Sequence, residues 1–198
     1  MRRRERSIRF AIPARKNWKR LRFLIPHWMM DNSILSELEF DSARGALWYK
    51  GVRYLLIRPE TLDMFYRAVE EKIGADAHDA MHRGGFTGGS LSAQKYRDVF
   101  GLDARQSVEF MARMGAEIGW GKIEIARLDL DARVLEITVA SSPFAAAHGK
   151  SKHGVCHLLR GVFAGLASGI FECDVTSQEV ECLALGDPQC RIVIQSAG

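Results

Sequence analysis

Three cysteines and a glutamate near the C-terminus, Cys156, Glu179, Cys182 and Cys190, carry the side chains best suited to holding a metal ion. Thiolates bind Zn²⁺ because the ion is borderline soft, and a tetrahedral site needs four donors, each a little over ~2 Å from the metal. Between Cys182 and Cys190 lies Gly186-Asp187-Pro188, a turn signal between two strand-like runs, so a turn there brings the two thiols within reach of each other. Two features argue the other way. No Cys-x-x-Cys knuckle is present, and in a regular strand Glu179 and Cys182 point to opposite faces unless a bulge or turn intervenes. His153, His157 and Glu181 are therefore rival fourth ligands. The cysteines also admit a plainer reading, as small buried hydrophobes in a reducing compartment.

Other chemistry is poorly represented. Gly84-Gly-Phe-Thr-Gly-Gly89 lacks both the Gly-x-Gly-x-x-Gly order of a dinucleotide loop and the Gly-Lys-Ser/Thr of a phosphate loop, and is read as a flexible turn between helices. Gly119-Trp-Gly-Lys122 fails as well, because Ile123 follows the lysine and a strand comes next. His78 and His82 stand one helical turn apart and could take a metal or haem, but no flanking Glu completes a metalloprotease pattern, and such a pair is more ordinarily surface or packing. Ser90, Ser92, Ser141 and Ser142 lack a nucleophile elbow or a base partner. No nucleotide-cofactor or catalytic motif is found, so the chain is not expected to be an enzyme, although catalysis is left open.

The elements that must position the cysteines read as follows. Leu38 to Phe40 and Ala46 to Tyr49 flank a hairpin signal, and Val52 to Ile57 is a third strand. Pro59 and Thr61 open a helix whose apolar members Leu62, Phe65, Tyr66, Val69 and Ile73 run to Gly74. A second helix follows from Ala75 to His82, then the glycine break, then a third from about Leu91 to Val99. Asp103 caps a helix through Met114 that ends near Gly119. Lys122 to Leu128 and Val134 to Ala140 alternate apolar with polar residues and form a β-hairpin. In Gly154 to Ile170, Val155, Leu158, Leu159, Val162, Phe163 and Leu166 line one face of a helix. Gly161, Gly165 and Gly169 recur every fourth residue, each costing ~1 kcal/mol of helix propensity relative to Ala, so close backbone approach is expected there. Strands and helices come in groups, which argues for an α+β fold with an antiparallel sheet packed against helices.

At 198 residues and 47% hydrophobic, the chain can bury a full core as one domain without disulfides. No apolar run approaches the ~18 residues of a membrane span, and Met1-Arg-Arg-Arg-Glu-Arg lacks the apolar core of a signal peptide, so a cytoplasmic location is expected. The net charge of +4 is uneven: residues 1–22 hold ten Arg or Lys against one Glu, leaving eighteen basic against twenty-three acidic residues in the rest. The chain divides into a basic N-terminal segment, 1–30, and a single domain, 31–198. The arm could touch nucleic acid or anionic lipid, but a solvated or dimer-docking segment is the simpler reading, since no DNA-reading motif accompanies it.

Gly154-Val-Cys-His-Leu-Leu-Arg-Gly-Val-Phe-Ala-Gly and Val180-Glu-Cys-Leu-Ala-Leu-Gly-Asp-Pro-Gln-Cys-Arg-Ile resemble the C-terminal half of the 4-vinyl-reductase, or hydrocarbon-binding, domain family. Looser likeness runs upstream through Gly51-Val-Arg-Tyr-Leu-Leu-Ile-Arg-Pro-Glu-Thr-Leu and Gly119-Trp-Gly-Lys. The family includes a bacteriochlorophyll-pathway protein and the sensory domains of phenol-responsive activators, and it is similar in fold to TRAPP subunits. The resemblance implies a ligand-binding domain of the NO-signalling/Golgi-transport type with a C-terminal zinc-binding lobe. It also implies structural zinc on Cys156, Glu179, Cys182 and Cys190, with Cys173 left as a packing residue, and a homodimer. Sensory members bind small aromatics in a pocket closed by the zinc lobe, and Trp120, Phe144 and Phe163, with Phe86 and Met114 beside them, are the candidate pocket residues. The expected function is binding or sensing of a small hydrophobic or aromatic molecule, read out by a separate effector protein. Alternatives are a tetrapyrrole carrier or vinyl-reductase accessory protein in (bacterio)chlorophyll-type metabolism, and an assembly or docking protein like the TRAPP subunits.

Overall fold

The computed structural model describes residues 32–198, and the basic segment expected at 1–30 lies outside them. A short helix, α1 (Ser33–Glu37), leads into a three-stranded antiparallel sheet of β1 (Glu39–Asp41), β2 (Ala46–Tyr49) and β3 (Val52–Tyr54) in sequential order. The third strand stops at Tyr54, short of the Ile57 expected. Three helices follow: α2 (Pro59–Ile73), α3 (Asp76–Asp98) and α4 (Ala104–Glu117). Then come β4 (Lys122–Asp129), β5 (Val134–Ala140), α5 (Pro143–His148), α6 (His157–Phe171), β6 (Val175–Glu181), a 3-10 turn at Leu183–Leu185 and β7 (Cys190–Ser196). The last four strands form an antiparallel sheet in the order β4-β5-β7-β6, so the architecture is α+β as expected. None of the described helices is long and apolar enough to cross a membrane.

Period-two patterning sets the main sheet's buried face. Leu135, Ile137 and Val139 of β5 are fully buried, and Leu135 and Ile137 pair with Ile194 and Ile192 of β7, which are equally buried. Helix α6 has His157, Arg160 and Ser168 as its polar members and is otherwise apolar or glycine, as befits a helix covered on most sides. It lies against β6 and β7 on one side and α3 on the other. Helix α4 is fixed at its start by a capping box, with Asp103 accepting from the Gln106 N–H at 2.8 Å and Gln106 accepting from the Asp103 N–H at 3.0 Å.

The break expected at Gly84–Gly89 does not occur: α3 runs through it unbroken for 23 residues. The reason is packing. A Cβ on Gly85 or Gly89 would collide with the Leu158 or Val162 carbonyl of α6, and one on Gly161 or Gly165 with the His82 or Phe86 carbonyl of α3. Four glycines thus let the two backbones touch, and the dispersion and burial along that seam offset their poor propensity. The close approach expected of Gly161 and Gly165 is present, and its partner surface is the helical Gly85 and Gly89 of α3 in place of the turn expected there.

Candidate functional site

The ligand atoms of Cys156, Glu179, Cys182 and Cys190 all lie within 4.8 Å of one another, and all three cysteines are buried. Each arrives by a different route. Cys156 sits immediately before α6, Glu179 near the end of β6, Cys182 just beyond that strand, and Cys190 at the first position of β7. The parity objection to Glu179 and Cys182 is resolved by a bulge: Glu179 pairs with Ile192 but Glu181 with Arg191, leaving Val180 as the extra residue. Past the bulge, Asp187 accepts from the Cys182 N–H at 2.7 Å, and Gly186 takes φ +100° to close the turn. The turn expected at Gly186-Asp187-Pro188 is therefore present, tightened by the 3-10 segment before it.

Among the rivals, Glu181 faces Arg191, 3.3 Å away, and is not part of the cluster, whereas Glu179 is. One Glu179 oxygen, Oε2, accepts from the Cys156 N–H at 3.0 Å, and the other, Oε1, is buried with no partner among the described residues. A Cβ on Gly154 would stand 2.5 Å from Oε2, so this glycine makes room for the carboxylate. Cys156 Sγ lies 3.4 Å from Cys190 Sγ, and the Leu183 N–H donates to Cys190 Sγ at 3.5 Å. Crowding makes joint ionisation costly without a cation. Burial, then contact with Cys182, pushes the Glu179 carboxyl up to about 8; contact with Cys156 and then Cys182 draws the Cys190 thiol down to about 4, while the neighbouring thiols hold Cys156 far up. An orphaned buried carboxylate oxygen beside three thiols matches a divalent ion's donor set.

His153 and His157, the other rivals, stand apart from this cluster in a group with His78. His82 does not join His78; its Nε2 lies 2.9 Å from Ser177 Oγ. His157 is buried with neither ring nitrogen hydrogen-bonded among the described residues, and burial, then the neighbouring His78 and Arg160, pushes its pKa down to about 3. Cys173 packs at the edge of the core, its Sγ 3.7 Å from Ser196 Oγ.

A cleft of about 550 Å³ opens beside the cluster, lined by Ile34, Leu38, Leu62, Trp120, Phe144 and Leu158 among others. Trp120 and Phe144 meet there edge to face, ring centroids 6.1 Å apart. The other three candidate pocket residues lie elsewhere. Phe163 is fully buried in the core, Phe86 sits on α3 at the crossing with α6, and Met114 accepts from the hydroxyls of Tyr54 and Tyr96 at 3.5 and 3.6 Å, beside a separate cleft. Sequence reading passed over α5, whose Ser142-Pro143 start carries an N-cap and a proline at the first turn. That start joins cluster to cleft: Ser142 Oγ is 3.5 Å from Cys156 Sγ, while Pro143 and Phe144 line the cleft.

Residues 135–196 match the model of the V4R domain. The chain is 25% identical over 171 residues to the phenol regulator MopR of Acinetobacter guillouiae, covering 81% of the chain but only 30% of that protein. In structure it is similar to the phenol-responsive sensory domain of the transcription activator PoxR, solved with phenol, at a TM-score of 0.73 and 21% identity, covering 87% of this chain and 92% of that one. It is also similar to trafficking protein particle complex subunit 3 from Naegleria fowleri, solved with palmitic acid covalently bound, at 0.52 and 15% over 69% and 93% of the two chains. The fold is thus shared with both the sensory domain and the trafficking subunit, and residues 135–196 carry the likeness to the V4R domain.

Proposed function

We propose that this chain is a binding or sensing module for a small hydrophobic or aromatic molecule, held in the cleft at Trp120 and Phe144 and shaped by structural zinc on Cys156, Glu179, Cys182 and Cys190. The observation that carries the reading is the shared strap: Ser142 touches the cluster while Pro143 and Phe144 wall the cleft, and Cys156 belongs to the cluster while Leu158 walls the cleft. Zinc at the four donors cross-links the start of α6 to the β6–β7 turn, which fixes both ends of that wall. The cleft is apolar with few polar groups, suited to a ligand that buries a ring or chain. Phenol, named for MopR and PoxR, supports an aromatic ligand class, and the palmitic acid of the trafficking subunit supports a hydrophobic one.

The reading includes a homodimer and an effector protein that reads occupancy. Native mass spectrometry of freshly purified protein, followed by denaturing analysis, tests it. One zinc per chain with a retained hydrophobic compound, or with phenol taken up on titration, is the expected result. Zinc with a cleft that accepts no probe, in a stable complex with another protein, would replace it with a docking role; a porphyrin absorbance without turnover would favour the tetrapyrrole carrier; absence of metal would remove the zinc lobe.

A further inference from the structure

His78, His153 and His157 offer one ring nitrogen each within 4.8 Å of the others, although they come from α3, the loop before α6, and the first position of α6. Glu70 of α2 stands beside two of them, His78 and His153. Its Oε1 lies 3.0 Å from His78 Nε2 and 3.4 Å from His153 Nε2, and it accepts from the Tyr66 hydroxyl at 3.1 Å. His157 is 8% exposed and both of its ring nitrogens are buried without a partner among the described residues. A buried polar group left unpaired is costly, on the order of 1–3 kcal/mol, and His78, His153 and Glu70 nearby bring nitrogen or carboxylate donors. The rings of His78 and His157 stack at 4.4 Å, so their in-plane lone pairs run side by side. A shared ion would require one of these two rings to turn, and His153, whose side chain is 41% exposed, has the freedom to follow.

We propose a second metal site, distinct from the thiol cluster, in which His78, His153 and His157 with Glu70 bind a divalent first-row transition ion such as Zn²⁺. Three imidazoles and a carboxylate are the donors such an ion takes, with no thiolate among them. Tyr66 supports the site by donating to the carboxylate, as outer-shell partners commonly do. Partial exposure of His153 supplies the entry path. The site joins α2, α3 and α6, three helices that the thiol cluster does not link to one another.

Cobalt(II) distinguishes the two sites, because thiolate ligands add near-ultraviolet charge-transfer absorption and nitrogen–oxygen ligands do not. Titrating Co²⁺ into the protein as purified should give visible ligand-field bands for one equivalent per chain with no added charge transfer. His153→Ala and His78→Ala, both at partly exposed positions, should each weaken that equivalent at least about tenfold. Any charge-transfer band belongs to the thiol cluster and should persist in both variants, so failure of one site does not disguise failure of the other. Absence of a thiolate-free equivalent in the wild type, or its retention at full affinity in both variants, overturns the second site.

Discussion

At the scale of single residues, the division between Glu179 and Glu181 is the sharpest test of the thiol cluster. Glu179 has a buried oxygen in the cluster with no partner among the described residues, whereas Glu181 lies beside Arg191. Glu179→Gln should therefore lower metal content measured by elemental analysis, and Glu181→Gln should leave it unchanged and cost no more than ~1 kcal/mol, the scale of a partly exposed ion pair. Cys182→Ser should release the metal and lower the melting temperature sharply, since an emptied structural site forfeits several kcal/mol of metal-coupled folding free energy; an unchanged melting temperature with metal retained would contradict it. The convergence of the three cysteines was legible from residue type and order, and the turn at Gly186 from its composition. The choice between the two glutamates was not, because one extra residue at Val180 reverses which side chains share a face, and no local signal announces it. The histidine group was not legible for a related reason: His78 lies 75 residues before His153 and 79 before His157, whereas His82, one helical turn from His78, lies against Ser177 instead.

At the scale of elements, the seam between α3 and α6 separates two kinds of glycine that look alike in sequence. Gly85 and Gly89 face the α6 backbone, while a Cβ on Gly84 or Gly88 meets nothing within 4 Å. Alanine at Gly84 or Gly88 should raise stability by up to ~1 kcal/mol each, through helix propensity alone. Alanine at Gly85 or Gly89 should lower it by about 1–3 kcal/mol, because the helices must separate to admit the methyl group. Urea denaturation of the four single variants reads the sign directly, and a uniform sign across them would refute the seam. The six-residue glycine run reads as a break when only its own segment is considered; its meaning depends on a surface some 75 residues later. The strands were easier, since alternation in β4 and β5 is a local pattern that the sheet merely uses.

At the scale of the whole molecule, the cleft and the cluster should behave as one cooperative unit. Phe144→Ala and Trp120→Ala each remove half of the edge-to-face pair and should weaken binding of phenol by about tenfold, or ~1.4 kcal/mol, by isothermal titration. Stripping metal with a chelator should weaken phenol binding in the wild type as well, since the strap at Ser142 loses its anchor. Binding that survives chelation intact would show the cleft to be independent of the cluster. The fold class was readable because grouped strands and helices, capping residues and apolar faces agreed with one another; the cleft was not, because apolar residues that line it and apolar residues that fill the core carry the same signature.

The central pairing of the main sheet, β5 with β7, joins residues 134–139 to 190–195, so some fifty residues of chain must fold back before that ladder can close. Closing a long loop is entropically slow, and the search shortens whenever part of the loop is already fastened. Cys156, Glu179, Cys182 and Cys190 all lie inside or at the edge of that loop, and Cys190 is itself the residue that pairs with Val139 at the end of the ladder. The bulge at Val180 and the turn at Gly186 thus do more than converge four side chains: they place the first rung of the sheet's last strand on the cluster, so that an ion captured there would take part in the order of assembly as well as in the finished structure.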